Sequence, residues 1–307
     1  MQPSDDPSAA PCCAPHRDTS GPDAPELSPP LAREDQGRSA DTAHVDLVQL
    51  PGGAFTMGEG GPMAYPDDGE ALRPAQVGTF SISATAVTNV QFRDFVSATG
   101  YVTEAERFEW SFVFAGLLPD DFEDTRGVVA APWWRQVFGA QWNHPEGPHS
   151  SVDDRLDHPV VQVSWNDATS YARWVGARLP TEAEWEFAAR AGGASTFPWG
   201  DELEPGGRHM MNVFQGEFPT DNTKADGWAG TCPVTSFEPN AFGLHNMVGN
   251  VWEWTSDPFS AARNGELVLK GGSYLCHASY CRRYRPAARM ASTPDSSTGN
   301  IGFRIAG

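Results

Sequence analysis

The sequence predicts a single compact α+β domain with low regular secondary structure. Three observations carry that expectation: Gly 31, Pro 26 and Trp 11 stand in 307 residues, helix signals are confined to three short segments before residue 193, and no helical period of useful length follows. Glycine and proline interrupt regular elements, and tryptophan buries enough area to lock the loops between them. The length allows one large domain or two ordinary ones, and either buries a substantial core.

Taken in order, residues 1–43 are rich in Pro, Ser, Asp and Ala and almost free of the aromatic and β-branched residues that offset ordering entropy. They are expected to form a disordered tail, and the adjacent Cys12 and Cys13, with few ligands nearby, an incidental exposed pair. The folded domain is expected over 44–307. Val45 to Leu50 and Ala54 to Met57 flank Pro51-Gly52-Gly53, which predicts an opening hairpin, and Phe80 to Ser83 reads as a strand. Thr88 with Gln91 predicts a capping box before Phe92, Phe95 and Val96, with Gly100 ending the helix. A second helix is predicted from Ser164, with Ala168, Tyr171, Ala172 and Val175 inward and Gly176 as its stop. A third begins at the Thr181/Glu184 box, buries Trp185 and Ala188, and ends at Gly192-Gly193. Beyond it, short strands and long loops are expected.

Lys plus Arg total 21 against 40 Asp plus Glu, a formal charge of −19, which argues against phosphate-backbone binding as the main role. No nucleic-acid partner is expected. The acidic excess would suit a basic peptide or Ca²⁺, but a plain solubilising surface explains it better. No apolar run approaches the ~18 residues a membrane helix needs, and no basic region followed by an apolar core opens the chain. A soluble, unexported, cytoplasmic protein without a membrane partner is expected, and the five cysteines exclude a dense disulfide framework.

The sharpest local feature is Ser273-Tyr274-Leu275-Cys276-His277-Ala278-Ser279-Tyr280-Cys281, after Gly271-Gly272. A closed Zn²⁺ site wants a second Cys/His pair that the chain does not supply. Two soft thiolates with few other donors favour a monovalent soft ion such as Cu(I), leaving a position open to a substrate ligand. Spacing alone equally permits a disulfide or two buried small hydrophobes. Arg282, Arg283 and Arg285 stand close enough in sequence to favour thiolate, or to serve as ordinary ion-pair donors. A second constellation, Asn246 to Trp254, interleaves side-chain oxygens with Gly carbonyls in the way a Ca²⁺ cage requires, and Asn212 with Asp226 offers a similar set; turn capping explains both as well. Most tryptophans are expected in the core. No phosphate loop and no serine nucleophile elbow is present.

With these residues laid out, the chain resembles the formylglycine-generating enzymes, also called sulfatase-modifying factors, over 44–307. The carriers are Pro51-Gly52-Gly53-Ala54-Phe55-Thr56-Met57-Gly58, Ala131-Pro132-Trp133-Trp134, the run from His158 to Ala168, and the run from Arg178 to Glu186. The Ser273-to-Cys281 segment with both thiols, Arg283-Tyr284-Arg285 and Thr293-Pro294-Asp295-Ser296-Ser297 separate the aldehyde-generating members from wider relatives.

That resemblance implies a fold similar to C-type lectin-like domains and an aerobic oxidase acting on the cysteine of a Cys-x-Pro-x-Arg peptide in an unfolded sulfatase. Carried over by position, Cys276 and Cys281 would bind Cu(I), with the client thiolate as third ligand, O₂ as oxidant and an external thiol as reductant. Ser273, Tyr280 and Trp252 match positions lining the oxygen and substrate pocket, and His277 a neighbour of them. Asn212, Val213, Asp226 and Trp228 match one structural Ca²⁺ site, and Asn246, Gly249, Val251 and Glu253 the other. Eukaryotic members carry disulfides at positions that read Ala172, Pro286 and Ile305 here, which fits a bacterial, cytoplasmic member. Two other readings stand beside this one: a non-catalytic peptide- or glycan-binding module of the same fold, and a sulfoxide synthase, for which the tail is too short and holds only His16.

Overall fold

The computed structural model describes residues 15–17, 45–65 and 69–307. Most of the stretch expected as a disordered tail lies outside the described residues; within it, Pro15 and Arg17 are buried and His16 is exposed.

The opening strands differ from the expected hairpin. Strand β1 (Leu47–Leu50) and β2 (Gly53–Met57) do not pair with each other; β2 pairs antiparallel with β3 (Arg73–Val77), and β1 with β4 (Phe80–Ser83). The turn between β1 and β2 is tied to another part of the chain. A Cβ on Gly52 (φ +70°) would stand 2.2 Å from the carbonyl oxygen of Gly78, so the backbones meet there and send the two strands to different partners.

The predicted helices form where their caps lie. In α1 (Asn89–Thr99), Thr88 and Gln91 complete the box, and Gly100 (φ 65°) closes the helix with its N–H on the Val96 carbonyl. A short helix that the periodicity did not indicate, α2 (Glu104–Phe108), is started by the Thr103/Glu106 box and ended by Glu109 in left-handed geometry. Ser164 and Asp167 cap α3 (Trp165–Trp174), which buries Ala168, Tyr171 and Ala172, and Thr181 and Glu184 cap α4 (Glu182–Arg190). The left-handed turn after α4 begins at Ala191, one residue before the expected glycines. Among the described residues beyond 193 there is no α-helix.

Two sheets frame the site. In the first, β7 (Ala131–Phe138) lies between β5 (Trp110–Phe114) and β6 (Gly127–Val128), while β8 (Gly216–Glu217) and β9 (Asp221–Asn222) pair with each other outside both sheets. The second runs in the order β12 (Arg289–Ser292), β11 (Leu267–Lys270), β10 (Trp252–Pro258), β13 (Ile301–Gly302), with β10 and β13 parallel. The main core packs α1 and α3 against this sheet and includes Trp252, Trp254, Leu269, Cys276, Cys281 and Phe303. Charges that enter the interior are paired, as desolvation demands: Lys270 lies 3.0 Å from Glu186, and Arg304 meets both carboxylate oxygens of Glu253 at 2.6 and 2.9 Å.

Candidate active site

The thiol segment is the connection from β11 to β12, and glycine lets it leave the sheet. A Cβ on Gly272 (φ +74°) would lie 2.9 Å from Tyr284 Cα, so this crossing of the connection over itself admits no side chain. The Cys276 N–H donates to the Ser273 carbonyl, and the N–H groups of Tyr280 and Cys281 donate to the His277 carbonyl. Those turns bring the Sγ atoms of Cys276 and Cys281 to 3.5 Å, both residues fully buried. The two sulfurs are not bonded to each other. Cys281 is in a disulfide, and neither Cys232 nor Cys276 is its partner.

Around the sulfurs, Ser273 N–H points at Cys276 Sγ (3.4 Å), and Ser273 Oγ accepts from Asn300 Nδ2 at 2.9 Å. Trp252 is fully buried in the same cluster, and its indole N–H has no hydrogen-bond partner among the described residues. Tyr280 stacks on Phe218 with centroids 4.7 Å apart and meets Trp133 edge-on at 4.9 Å, giving the half-buried rim an aromatic wall. His277 has Nδ1 2.7 Å from Ser279 Oγ, and burial lowers its pKa. Of the three arginines, Arg283 reaches 4.0 Å from Cys281 Sγ while lying over the Tyr65 ring. Arg285 instead makes buried ion pairs with Glu59 and Glu70.

A second recess opens between α2, β5 and the 293–300 loop, and Arg17 fills it. The Arg17 guanidinium lies over the rings of Phe108 (4.2 Å) and Trp110 (4.1 Å), and its Nη2 donates to the Trp110 carbonyl at 2.7 Å and to Ser297 Oγ at 3.2 Å. Its own N–H donates to Ser296 Oγ at 2.7 Å. Asp295, Glu104 and Asp167 surround the charge; burial outweighs them and lowers the Arg17 pKa to about 10. Phe108, Trp110 and Asn300 were not among the residues singled out from sequence. The 293–300 loop joins the recess to the sulfurs, since it carries both Ser297 and Asn300.

The two oxygen-rich loops adjoin one another. Asn250 N–H donates to the Asn212 carbonyl at 2.8 Å, and Gly249 N–H to the Gly271 carbonyl at 2.9 Å, so they also brace the root of the thiol segment. Asp226 accepts from the N–H groups of Val213 and Trp228. Asn246 Oδ1 is buried with no hydrogen-bond partner among the described residues. Val251 is buried, and Glu253 is held by Trp185 Nε1 at 2.6 Å and by Arg304. Among the described residues no group of three His, Cys, Asp or Glu forms a cage, so any cation here relies on amide and backbone oxygens as well.

Comparison with known proteins agrees with this architecture. A family model described as the sulfatase-modifying factor enzyme 1-like domain matches residues 33–307. The formylglycine-generating enzyme of Thermomonospora curvata is 52% identical over 289 residues, covering 88% of this chain and 95% of that protein. That of Streptomyces coelicolor is 51% identical over 296 residues, covering 91% and 94%. Among solved structures, PvdO from Pseudomonas aeruginosa aligns with a TM-score of 0.58 at 28% identity, over 85% of this chain and 93% of that one. A match over nearly the whole domain, at half identity to enzymes of one activity, supports that enzymatic function, and the chain belongs to the sulfatase-modifying factor family of formylglycine-generating enzymes.

Proposed function

We propose that this chain is a copper-dependent aerobic oxidase that converts the cysteine of a Cys-x-Pro-x-Arg motif in unfolded sulfatases to Cα-formylglycine. The observation that carries the reading is the pair of buried sulfurs 3.5 Å apart, close enough to ligate one soft ion, with the Ser273 N–H 3.4 Å from Cys276 Sγ. Cys276 and Cys281 would hold the copper ion, which when bound would supply one-electron chemistry with O₂. The protein's own groups hold and orient: Ser273 N–H and the Asn300–Ser273 bond fix Cys276, Arg283 places positive charge near Cys281, and the wall of Tyr280, Trp133 and Phe218 shields the client cysteine from water.

The overall reaction balances. The client side chain CH₂–SH, O₂ and two external thiols give CHO, H₂S, one disulfide and one water; O₂ takes two electrons from Cβ and two from the thiols. A thiol reductant has a second task, because Cys281 must leave its disulfide before it can act as a ligand. The recess occupied by Arg17 supports an arginine in the client motif, with aromatic faces for the guanidinium and acceptors at its edge.

Calcium at the loops of Asn212 and Asn246 is part of the same proposal. Its support is the orphaned Asn246 oxygen and the need of long loops for a cross-link. We place the enzyme in the cytoplasm, where a reducing poise keeps the two thiols available; no helix among the described residues is long and apolar enough to cross a membrane. The test is to incubate copper-loaded protein with a peptide containing Cys-Thr-Pro-Ser-Arg in air with a thiol reductant and follow its mass. Conversion of the thiol to an aldehyde is expected; an unaltered peptide across several sequence variants overturns the assignment.

A further inference from the structure

The chain contains the client motif itself. Residues Cys13-Ala14-Pro15-His16-Arg17 read Cys-x-Pro-x-Arg, and the described part of that pentapeptide is already bound: Pro15 is buried, and Arg17, 3% exposed, fills the arginine recess. His16, at a position the motif leaves free, is exposed. We propose that Pro15-His16-Arg17, the described end of this client-like sequence, occupies the arginine subsite of the peptide groove in cis, and that an external sulfatase segment must displace it. The proposal rests on the reading of the site as a Cys-x-Pro-x-Arg oxidase and adds what occupies that site between turnovers.

Two observations carry it. The first is the recess, where two aromatic faces, the Trp110 carbonyl and two serine hydroxyls engage the guanidinium through Nη2 and the backbone N–H of Arg17, while Nε and Nη1 are buried without a hydrogen-bond partner among the described residues. A tail adsorbed without selectivity would not bury a guanidinium to this extent, because an arginine gives up hydration that its partners must offset. The second is continuity: Arg17 meets Ser297, and the same loop reaches the sulfurs through Asn300 and Ser273.

An occupant on the same chain competes at an effective concentration that dilution does not lower, so an external peptide is expected to bind about tenfold more weakly until Arg17 leaves the recess.

The experiment uses the full chain under thiol reductant, with a fluorescein-labelled peptide of residues 10–20 in which both cysteines are serine, so that only binding is read. Wild type, Arg17→Ala and Arg17→Glu are titrated by anisotropy, and their melting temperatures are recorded. The two variants are expected to bind the peptide at least tenfold more tightly than wild type. Equal affinity in all three chains, no binding in any, or a fall in melting temperature without tighter binding overturns the proposal; the last outcome would make Arg17 a structural strut. A parallel aldehyde assay on Cys-Thr-Pro-Ser-Arg separates the two claims: tighter peptide binding with no aldehyde keeps the resident segment and rejects the oxidase, whereas aldehyde formation with equal affinities does the reverse.

Discussion

Ser273 Oγ accepts a 2.9 Å hydrogen bond from Asn300 Nδ2, and that bond joins the turn that holds the sulfurs to the loop that seats Arg17. Asn300 Oδ1 in turn accepts from the Thr298 hydroxyl at 2.6 Å, all three residues being fully buried. Asn300→Ala strips both hydroxyls of this partner and is expected to cost about 1–3 kcal/mol of stability. Because the bond positions the sulfurs, peptide oxidation is expected to lose more in kcat than in KM. Steady-state kinetics beside a thermal melt checks this; a pure rise in KM would place Asn300 in client binding instead.

The sulfur pair makes a sharper forecast. Cys276→Ser and Cys281→Ser each leave one soft ligand where two are needed, so Cu(I) affinity should fall by several orders of magnitude and oxidation should vanish. Under thiol reductant, which opens the disulfide of Cys281 in every chain, the variants should still fold, since serine nearly matches cysteine in volume and no disulfide joins the two sulfurs. Competition against a Cu(I) chelator measures the first effect and circular dichroism the second. Full copper affinity in either variant would remove the clamp from consideration.

Much of the frame was legible in the sequence because it is locally encoded. The boxes at Thr88, Ser164 and Thr181 are three-residue signals whose chemistry does not depend on the rest of the fold. The Thr103/Glu106 box is the same kind of signal, but its helix spans five residues, too few to show a period. The β1–β2 hairpin failed as an expectation because register there is decided by the Gly52–Gly78 contact, a long-range fact. Cys276, Cys281 and Ser273 were visible as a segment; Asn300, Phe108 and Trp110 reach the site only through tertiary packing. The pentapeptide ending at Arg17 was readable in principle. Tail composition concealed it, since five residues of motif do not alter the average polarity of 43.

Calcium removal should loosen the loops that brace the thiol segment. Chelation is expected to lower the melting temperature by several degrees, and Asn246→Ala to abolish that sensitivity. Asn246 has φ 48°, so alanine also carries a left-handed penalty of about 1–2 kcal/mol; Asn246→Asp, which keeps an oxygen donor, is the control expected to retain the chelator response. Melts with and without chelator decide it, and identical curves for wild type would contradict the cation.

Asp167 sets a pH dependence. Burial first, and the nearby Glu104 carboxylate second, raise its pKa from the ordinary 3.8 to about 7, although Tyr101 Oη and two backbone N–H groups donate to it. Between those values the native state keeps a proton that the unfolded chain has released. Its contribution to stability is therefore full below about pH 4 and lost as pH rises through about 7. Melting temperature should decline over that window in wild type and change less in Asp167→Asn. Parallel curves for the two chains would show that another group carries the effect.

The last expectation concerns a residue with no functional group. Gly272 lies where the connection carrying the sulfurs crosses its own return, and an added Cβ would stand 2.9 Å from Tyr284 Cα and 3.0 Å from the Arg283 carbonyl oxygen. Backbone cannot yield as a side-chain tip does, and φ +74° is left-handed besides. Gly272→Ala must therefore move the 273–281 turn relative to the 283–285 strand of the loop. Tyr284 packs in the same cluster as both cysteines, so the displacement is transmitted to the sulfurs. The expected outcome is a loss of about 2–4 kcal/mol in stability together with weakened Cu(I) binding, while Gly265→Ala, at a left-handed position in open space, should cost stability alone. Chemical denaturation and chelator competition on the two variants separate the effects. Undiminished copper affinity in a folded Gly272→Ala chain would mean that the crossing does not set the sulfur spacing.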